Sequence, residues 1–225
     1  MFKHMILVAA VAGMVLLSLG SQVQAVLIFS ENFNSYTGNQ NNTQGDTGLP
    51  VAYGGTVTGW TSSGAGALHA VKLTPAPDWA IMFWTDNVIT LTTGIGANDS
   101  GTAYEVNFDY GTAVYAGTHM SQATGATDGL VVEVLRADNS VLATGTYMPG
   151  AWSYPTNVNL SAGLQGTLSY TGDGSGNVKI RVRSLVPGSS HFGGEIDNVS
   201  VVPEPATLAL LGLAGLGLVL GRKRR

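Results

Sequence analysis

The chain has 225 residues, no cysteine, 11% charged residues and a formal net charge of −4. The lack of cysteine rules out a disulfide framework and a thiol nucleophile. Lys and Arg number only 10, four of them at the last four positions, which excludes nucleic acid as a partner because its phosphates reward clustered cations.

Residues 1–25 read as a secretory signal peptide. Met1 to His4 form a short leader carrying Lys3, Met5 to Leu19 an apolar core of 15 residues, and Val23-Gln24-Ala25 a small-x-small cleavage site. An uncleaved anchor is the alternative; the short core and the good cleavage site favour removal. The expected partners at this step are the export translocon and signal peptidase.

Residues 26–202, about 177 in all, suit one domain with its own core. Its 13 acidic residues face five basic ones, Lys72, Arg136, Lys179, Arg181 and Arg183, a net charge of −8. No segment repeats apolar residues at helical spacing. Short β-branched or alternating runs recur between turn signals instead. Strands are expected near 26–30, 56–61, 67–73, 80–85, 88–92, 103–110, 129–136, 141–147, 153–160, 166–170, 178–184 and 194–202. In Tyr104-Glu-Val-Asn-Phe-Asp-Tyr110 the residues Tyr104, Val106, Phe108 and Tyr110 share one face. In Val178-Lys-Ile-Arg-Val-Arg183 the apolar residues face inward and the three cations face water. Asp138-Asn139 and Gly172-Asp-Gly-Ser-Gly-Asn177 read as hairpin turns. The polar stretch 38–55 reads as a long loop. A dozen strands in one unit without internal repeats predict an all-β fold, a two-sheet antiparallel β-sandwich of jelly-roll type.

Candidate sites follow from side-chain chemistry. Trp60, Trp79 and Trp152 are large rings that either cap the core or stack on pyranose faces; Trp79 and Trp152 each follow a proline-containing turn. Glu105, Asp109, Glu133 and Glu195 are the strand-borne acids that could pair for glycoside hydrolysis, and spatial separation decides whether they do. Glu105 and Asp109 fall on one face, opposite the core tyrosines. Asp173-Gly-Ser-Gly-Asn177 alternates oxygen-bearing side chains as a calcium loop does, but it lacks the distal glutamate of an EF-hand. His69, His119 and His191 have no zinc-ligand spacing. No Gly-x-Ser-x-Gly elbow exists.

The chain ends in three parts: Pro203-Glu204-Pro205, an uncharged run from Ala206 to Gly221, and Arg222, Lys223, Arg224 and Arg225. As a helix, 206–221 would be roughly 24 Å long, short against a hydrocarbon core of about 30 Å. The terminal cations keep that end cytoplasmic, so the preceding domain lies outside. The prolines stop the helix from running back into the domain. Gly217 and Gly221 stand in GxxxG spacing, a helix-pairing pattern.

This ending, over about its last 24 residues, resembles the PEP-CTERM sorting signal of Gram-negative bacteria. The resemblance implies recognition by an exosortase-like membrane protease, cleavage near 203–205, transient anchoring in the inner membrane by helix 206–221, and delivery to the cell surface or extracellular matrix. A second resemblance rests on Ile28-Phe-Ser-Glu-Asn-Phe-Asn-Ser-Tyr36, Tyr104 to Tyr110 and Gly194-Glu-Ile-Asp-Asn-Val-Ser-Val201. These are similar to strands of carbohydrate-binding-module and lectin-like jelly rolls. That likeness implies a structural Ca2+ tying the first strand to the last, with Glu31 and Asp197 as side-chain ligands and Glu195 and Asn32 as neighbours. The plainer alternative is that Asp197 accepts from a nearby amide and Glu31 is an edge charge. The functional expectation is a non-enzymatic exported protein that binds extracellular polysaccharide. A glycan-active enzyme of lectin-like fold and a purely structural matrix component are the alternatives.

Overall fold

Thirteen strands, all paired antiparallel, account for the regular structure of the described residues, seen here in a computed structural model. The structure describes residues 26–43, 50–63, 69–73, 78–84, 88–111, 129–148, 164–185 and 192–204. The strands are β1 Phe29–Glu31, β2 Thr37–Thr43, β3 Pro50–Thr56, β4 Trp60–Ser63, β5 His69–Leu73, β6 Asp78–Trp84, β7 Val88–Leu91, β8 Ala103–Gly111, β9 Leu130–Leu135, β10 Val141–Tyr147, β11 Leu164–Thr171, β12 Lys179–Ser184 and β13 Phe192–Pro203. Among the described residues no helix is long and apolar enough to cross a membrane.

The strands form two sheets. The eight-stranded sheet runs β11-β8-β13-β6-β5-β3-β2, with β1 added on β13. The five-stranded sheet runs β10-β9-β12-β7-β4. The chain crosses between sheets after β3, β4, β6, β7, β8, β10, β11 and β12, the winding expected of a jelly roll. The unit that contains both sheets spans Leu27–Pro203.

Period-two alternation builds the core. In β8 the residues Tyr104, Val106 and Phe108 are buried while Glu105, Asn107 and Asp109 point outward. In β12 Ile180, Val182 and Ser184 are buried between the half-exposed Lys179, Arg181 and Arg183. Ile81, Phe83, Ile196 and Val201 from the large sheet meet Ile89, Leu130, Val132 and Val182 from the small one. Each such side chain contributes about 1.5–3 kcal/mol on burial, so the sandwich needs no covalent staple.

Four expectations change. The stretch 38–55 is not a long loop, since β2 and β3 pair there as Asn39↔Tyr53 and Asn42↔Val51. Residues 56–61 do not make one strand: the chain turns at Val57–Gly59, where Trp60 N–H donates to Val57 O and Gly59 adopts φ +83°, and β4 begins only at Trp60. The first strand starts at Phe29 rather than Val26. Gly172–Asn177 is not a hairpin: β11 belongs to the large sheet and β12 to the small one, so the segment is a crossover. The expected strand 153–160 and Trp152 lie outside the described residues. Asp138-Asn139 does form the β9–β10 turn, with Asn139 at φ +68° and Ser140 N–H donating to Asp138 Oδ1 at 2.9 Å.

The crossover is a polar knot. Asn98, 5% exposed, donates through Nδ2 to Asp173 Oδ1 (2.9 Å), Ser175 Oγ (3.2 Å) and Gly176 O (2.8 Å). Its Oδ1 accepts from Asp173 N–H at 2.9 Å. Arg136 Nε meets Asp173 Oδ2 at 2.6 Å. Hydrogen bonds from Ser175 first, then Arg136, hold the Asp173 carboxyl well below the usual carboxylate range. Gly172 lies so close that a Cβ there would sit 2.3 Å from Asp99 O.

Candidate functional site

The first and last strands meet as expected, with Glu31 opposite Val199 and Phe29 opposite Val201. Just after β1 the chain bends through Phe33, whose φ is +54°. Glu31 holds that bend: its Oε1 accepts from Phe33 N–H at 2.7 Å. Its Oε2 accepts from Trp60 Nε1 at 3.4 Å. Phe33 and Trp60 pack ring on ring at 5.6 Å, both buried.

Trp60 is therefore not a stacking platform for sugar. At 7% exposure it belongs to the core, and its one polar atom is turned to Glu31. Trp79 is the second residue of β6, in register with Lys72 rather than on a loop. Its side chain, like that of Trp152, lies outside the described residues. His69 falls on β5, and His119 and His191 lie outside the described residues.

On β13 a bulge interrupts pairing with β8 between Asp197 and Ser200. Asn198 takes the extra position at φ +49°, a conformation that asparagine tolerates better than most residues. It bridges two carboxylates. Its N–H donates to Asp197 Oδ1 at 2.7 Å, and its Nδ2 donates to Asp109 Oδ2 at 2.9 Å. Asp197 and Asp109 are themselves cross-strand partners. Glu195 lies two residues before Asp197, and both are only 2% exposed.

The two residues named for calcium thus lie near one strand junction, but Glu31 already receives an N–H on each oxygen. Among the described residues no group of three or more His, Cys, Asp or Glu side chains could hold a metal ion. A cleft of about 390 Å³ opens beside the junction, lined by Leu27, Ser30, Glu31, Asn32, Asn198, Val199 and Ser200.

The outer face of the large sheet continues from this cleft. Three cross-strand rows run over β13, β8 and β11: Asp197–Asp109–Gln165, Ser200–Asn107–Thr167 and Val202–Glu105–Ser169. Thr167 Oγ1 donates to Asn107 Oδ1 at 2.7 Å, and Asn107 Nδ2 reaches Glu105 Oε2 at 3.5 Å. Glu105 and Asp109 share this face, as their spacing predicts. Glu133, by contrast, belongs to the other sheet, where Arg181 Nε binds it at 2.6 Å. Asn107, Gln165, Thr167 and Asn198 were not legible as site residues. The alternation of Leu164–Thr171, with Gly166, Leu168 and Tyr170 buried, is the signal that would have placed Gln165 and Thr167 outward.

At the other end of the chain the last strand does not stop before the Pro-Glu-Pro triplet. β13 runs through Pro203, which registers opposite Tyr104. Glu204 follows the strand, while Pro205 and Arg222, Lys223, Arg224 and Arg225 lie outside the described residues.

Residues 201–225 are a PEP-CTERM protein-sorting motif. The PEP-CTERM motif marks a chain for export, transient membrane anchoring at its C-terminus and processing by an exosortase, itself a membrane protein. No curated protein matches the chain. Among solved structures, it is similar to the CBM22-1 xylan-binding domain of Paenibacillus barcinonensis Xyn10C, at 11% identity and TM-score 0.44 over 81% of this chain and 97% of that one. It is also similar to TmCBM61 in complex with β-1,4-galactotriose, at 18% identity and TM-score 0.42 over 65% and 90%. A third is a CBM4 structure, at 17% identity and TM-score 0.35 over 82% and 97%.

Proposed function

We propose that the chain is an exported, exosortase-sorted, non-catalytic protein of the cell surface or extracellular matrix that binds polysaccharide on the outer face of its large sheet. The supporting observation is the register of β13, β8 and β11. It sets amide, carboxylate and hydroxyl groups in three adjacent rows, Asp109 with Gln165, Asn107 with Thr167 and Glu105 with Ser169. Planar amides and carboxylates that stand side by side can each hold two neighbouring sugar hydroxyls. The cleft at Ser30, Asn32 and Ser200, which Leu27 and Val199 also line, adjoins this surface through Ser200.

Asp109 and Asp197 face each other directly, the arrangement that would favour hydrolysis. Asn198 supplies a donor to each of them, which supports a structural duty for the pair rather than an acid and a base. Binding of the exported protein to a panel of neutral polysaccharides, with Asn107→Ala and Gln165→Ala beside the parent, tests the proposal. Retention of a neutral polysaccharide that both variants weaken is the expected result. Release of reducing ends from it would favour the enzyme. No retention of any polysaccharide would leave the purely structural matrix role.

A further inference from the structure

The two sheets carry opposite charge. Strands of the large sheet hold six carboxylates, Glu31, Asp78, Glu105, Asp109, Glu195 and Asp197, against the single cation Lys72. Strands of the small sheet hold three cations, Lys179, Arg181 and Arg183, against the single carboxylate Glu133. In a domain whose net charge is −8, this is a local excess of the opposite sign.

All three cations stand on β12, the central strand of that sheet, and alternate with buried Ile180 and Val182 on its outer face. From Lys179 to Arg183 they cover roughly 13 Å at 3.3 Å per residue. Glu133 lies beneath them, its side chain 6% exposed, and meets Arg181 Nε at 2.6 Å and Arg183 Nε at 3.6 Å. The arginine side chains remain 29% and 34% exposed, so the carboxylate fixes the guanidinium groups from below while they still reach solvent. Lys179 Nζ is steadied at 3.3 Å by Asn139 Oδ1.

Hydroxyls flank this strip on both sides. In register, Arg181 lies between Thr90 and Thr61 on one side and Glu133 and Thr144 on the other. Arg183 lies likewise between Val88 and Ser63 and between Val131 and Thr146. Thr61, Ser63, Thr144 and Thr146 are exposed.

We infer that the outer face of the small sheet binds an acidic polysaccharide, one bearing carboxylate or sulfate groups, with its chain laid along β12. Three observations select that occupant. The cations form a line one strand wide, which suits a linear polyanion better than a broad lipid surface or a flat protein face. They are preorganised from beneath, so little side-chain freedom is lost on binding. The flanking residues offer hydroxyl groups rather than the large apolar anchors of a protein interface. This face is separate from the one assigned above to neutral polysaccharide.

Polygalacturonate and dextran sulfate serve as probes, with neutral dextran as control, on the exported protein at low and high salt. Lys179→Gln combined with Arg183→Gln removes two cations while keeping the Arg181–Glu133 pair, and Arg183→Lys restores one charge. The expected result is binding of at least one polyanion that fades with salt, weakens about tenfold in the double variant and returns in part with the lysine, at an unchanged melting temperature. No binding of either polyanion, or binding that the double variant leaves intact, overturns the inference. So does equal affinity for duplex DNA or for phosphatidylserine vesicles. Self-association of the protein that the double variant abolishes would assign the face to a second copy instead.

Discussion

Asn98 and Asp173 exchange two hydrogen bonds across 75 residues of chain, side-chain amide to carboxylate and backbone N–H to side-chain carbonyl, each 2.9 Å long. Asn98 precedes β8 and Asp173 follows β11, so the pair ties the entry of one strand to the exit of its neighbour where the chain leaves for the other sheet. Asn98→Ala removes the four bonds that the buried Asn98 side chain makes in this knot and leaves the Arg136–Asp173 pair in place. The expected cost is about 1–3 kcal/mol in urea unfolding, since the bonds of a buried amide are lost while its exposed partners Asp173, Ser175 and Gly176 regain water. A change below about 0.5 kcal/mol would mean that the crossover is held by its backbone alone.

Asp173 makes the same knot sensitive to acid. Its folded-state acidity is raised by Ser175 and Arg136, so its carboxyl protonates at a lower pH in the folded chain than in the unfolded one. A group depressed in this way stabilises fully above its unfolded value, roughly 4, and loses that contribution as pH falls toward the folded value. Asp173→Asn is therefore expected to lower the melting temperature at pH 7, with the gap to the parent closing below about pH 4. A gap of constant size down to pH 2 would remove the carboxylate from the account.

These two residues also mark where the sequence was readable. Alternation in Tyr104–Tyr110 and Val178–Arg183 reports which side chains are buried, because a strand face either meets the core or does not. The same rule put Glu105 and Asp109 together on the outer surface. It could not say that Gly172–Asn177 changes sheets, since a glycine-rich polar turn looks alike in a hairpin and in a crossover. What separates the two is the pairing of β11 with β8, a contact about 60 residues distant, as at Thr167 and Asn107. Asn198 was hidden for a related reason. Its bulge breaks the period of two inside β13, and only the neighbouring Asp109 gives its side chain a purpose.

Trp60 separates a core ring from a binding ring. Trp60→Ala is expected to destabilise the exported protein by about 3–5 kcal/mol. Trp60→Phe keeps the packing on Phe33 and loses only the N–H to Glu31, for about 1 kcal/mol. Polysaccharide retention should be unaffected in Trp60→Phe. A normal melting temperature with lost retention would restore the stacking role.

Glu31 also gives the calcium expectation a direct test in the same region. Both of its oxygens accept N–H groups, from Phe33 and from Trp60. Chelation by EDTA is therefore expected to leave the melting temperature of the exported protein unchanged. A fall of several degrees, reversed by added Ca2+, would return Glu31 and Asp197 to the role of ligands, since a bound ion stabilises only the state that holds it.

The sorting motif begins inside the fold it is meant to release. Val201 is fully buried, pairs with Phe29 and Val106, and accepts from Ile28 N–H at 2.9 Å. Val202 and Pro203 continue the ladder opposite Glu105 and Tyr104. A protease cutting before Pro203 would have to peel the end of β13, an interior strand of the large sheet, away from β8. Cleavage is cheaper beyond the last paired residue, where Glu204 leaves the strand. The intact mass of exported protein from the native host is therefore expected to place the new C-terminus at Pro203 or later, rather than at Val202. A chain cut back to Ser200, which removes buried Val201, should lose about 2–4 kcal/mol, while one ending at Glu204 should melt like the exported form. A native product ending at or before Val202 would show that the enzyme opens the strand. An intact Arg225 in exported material would make the tail a permanent anchor.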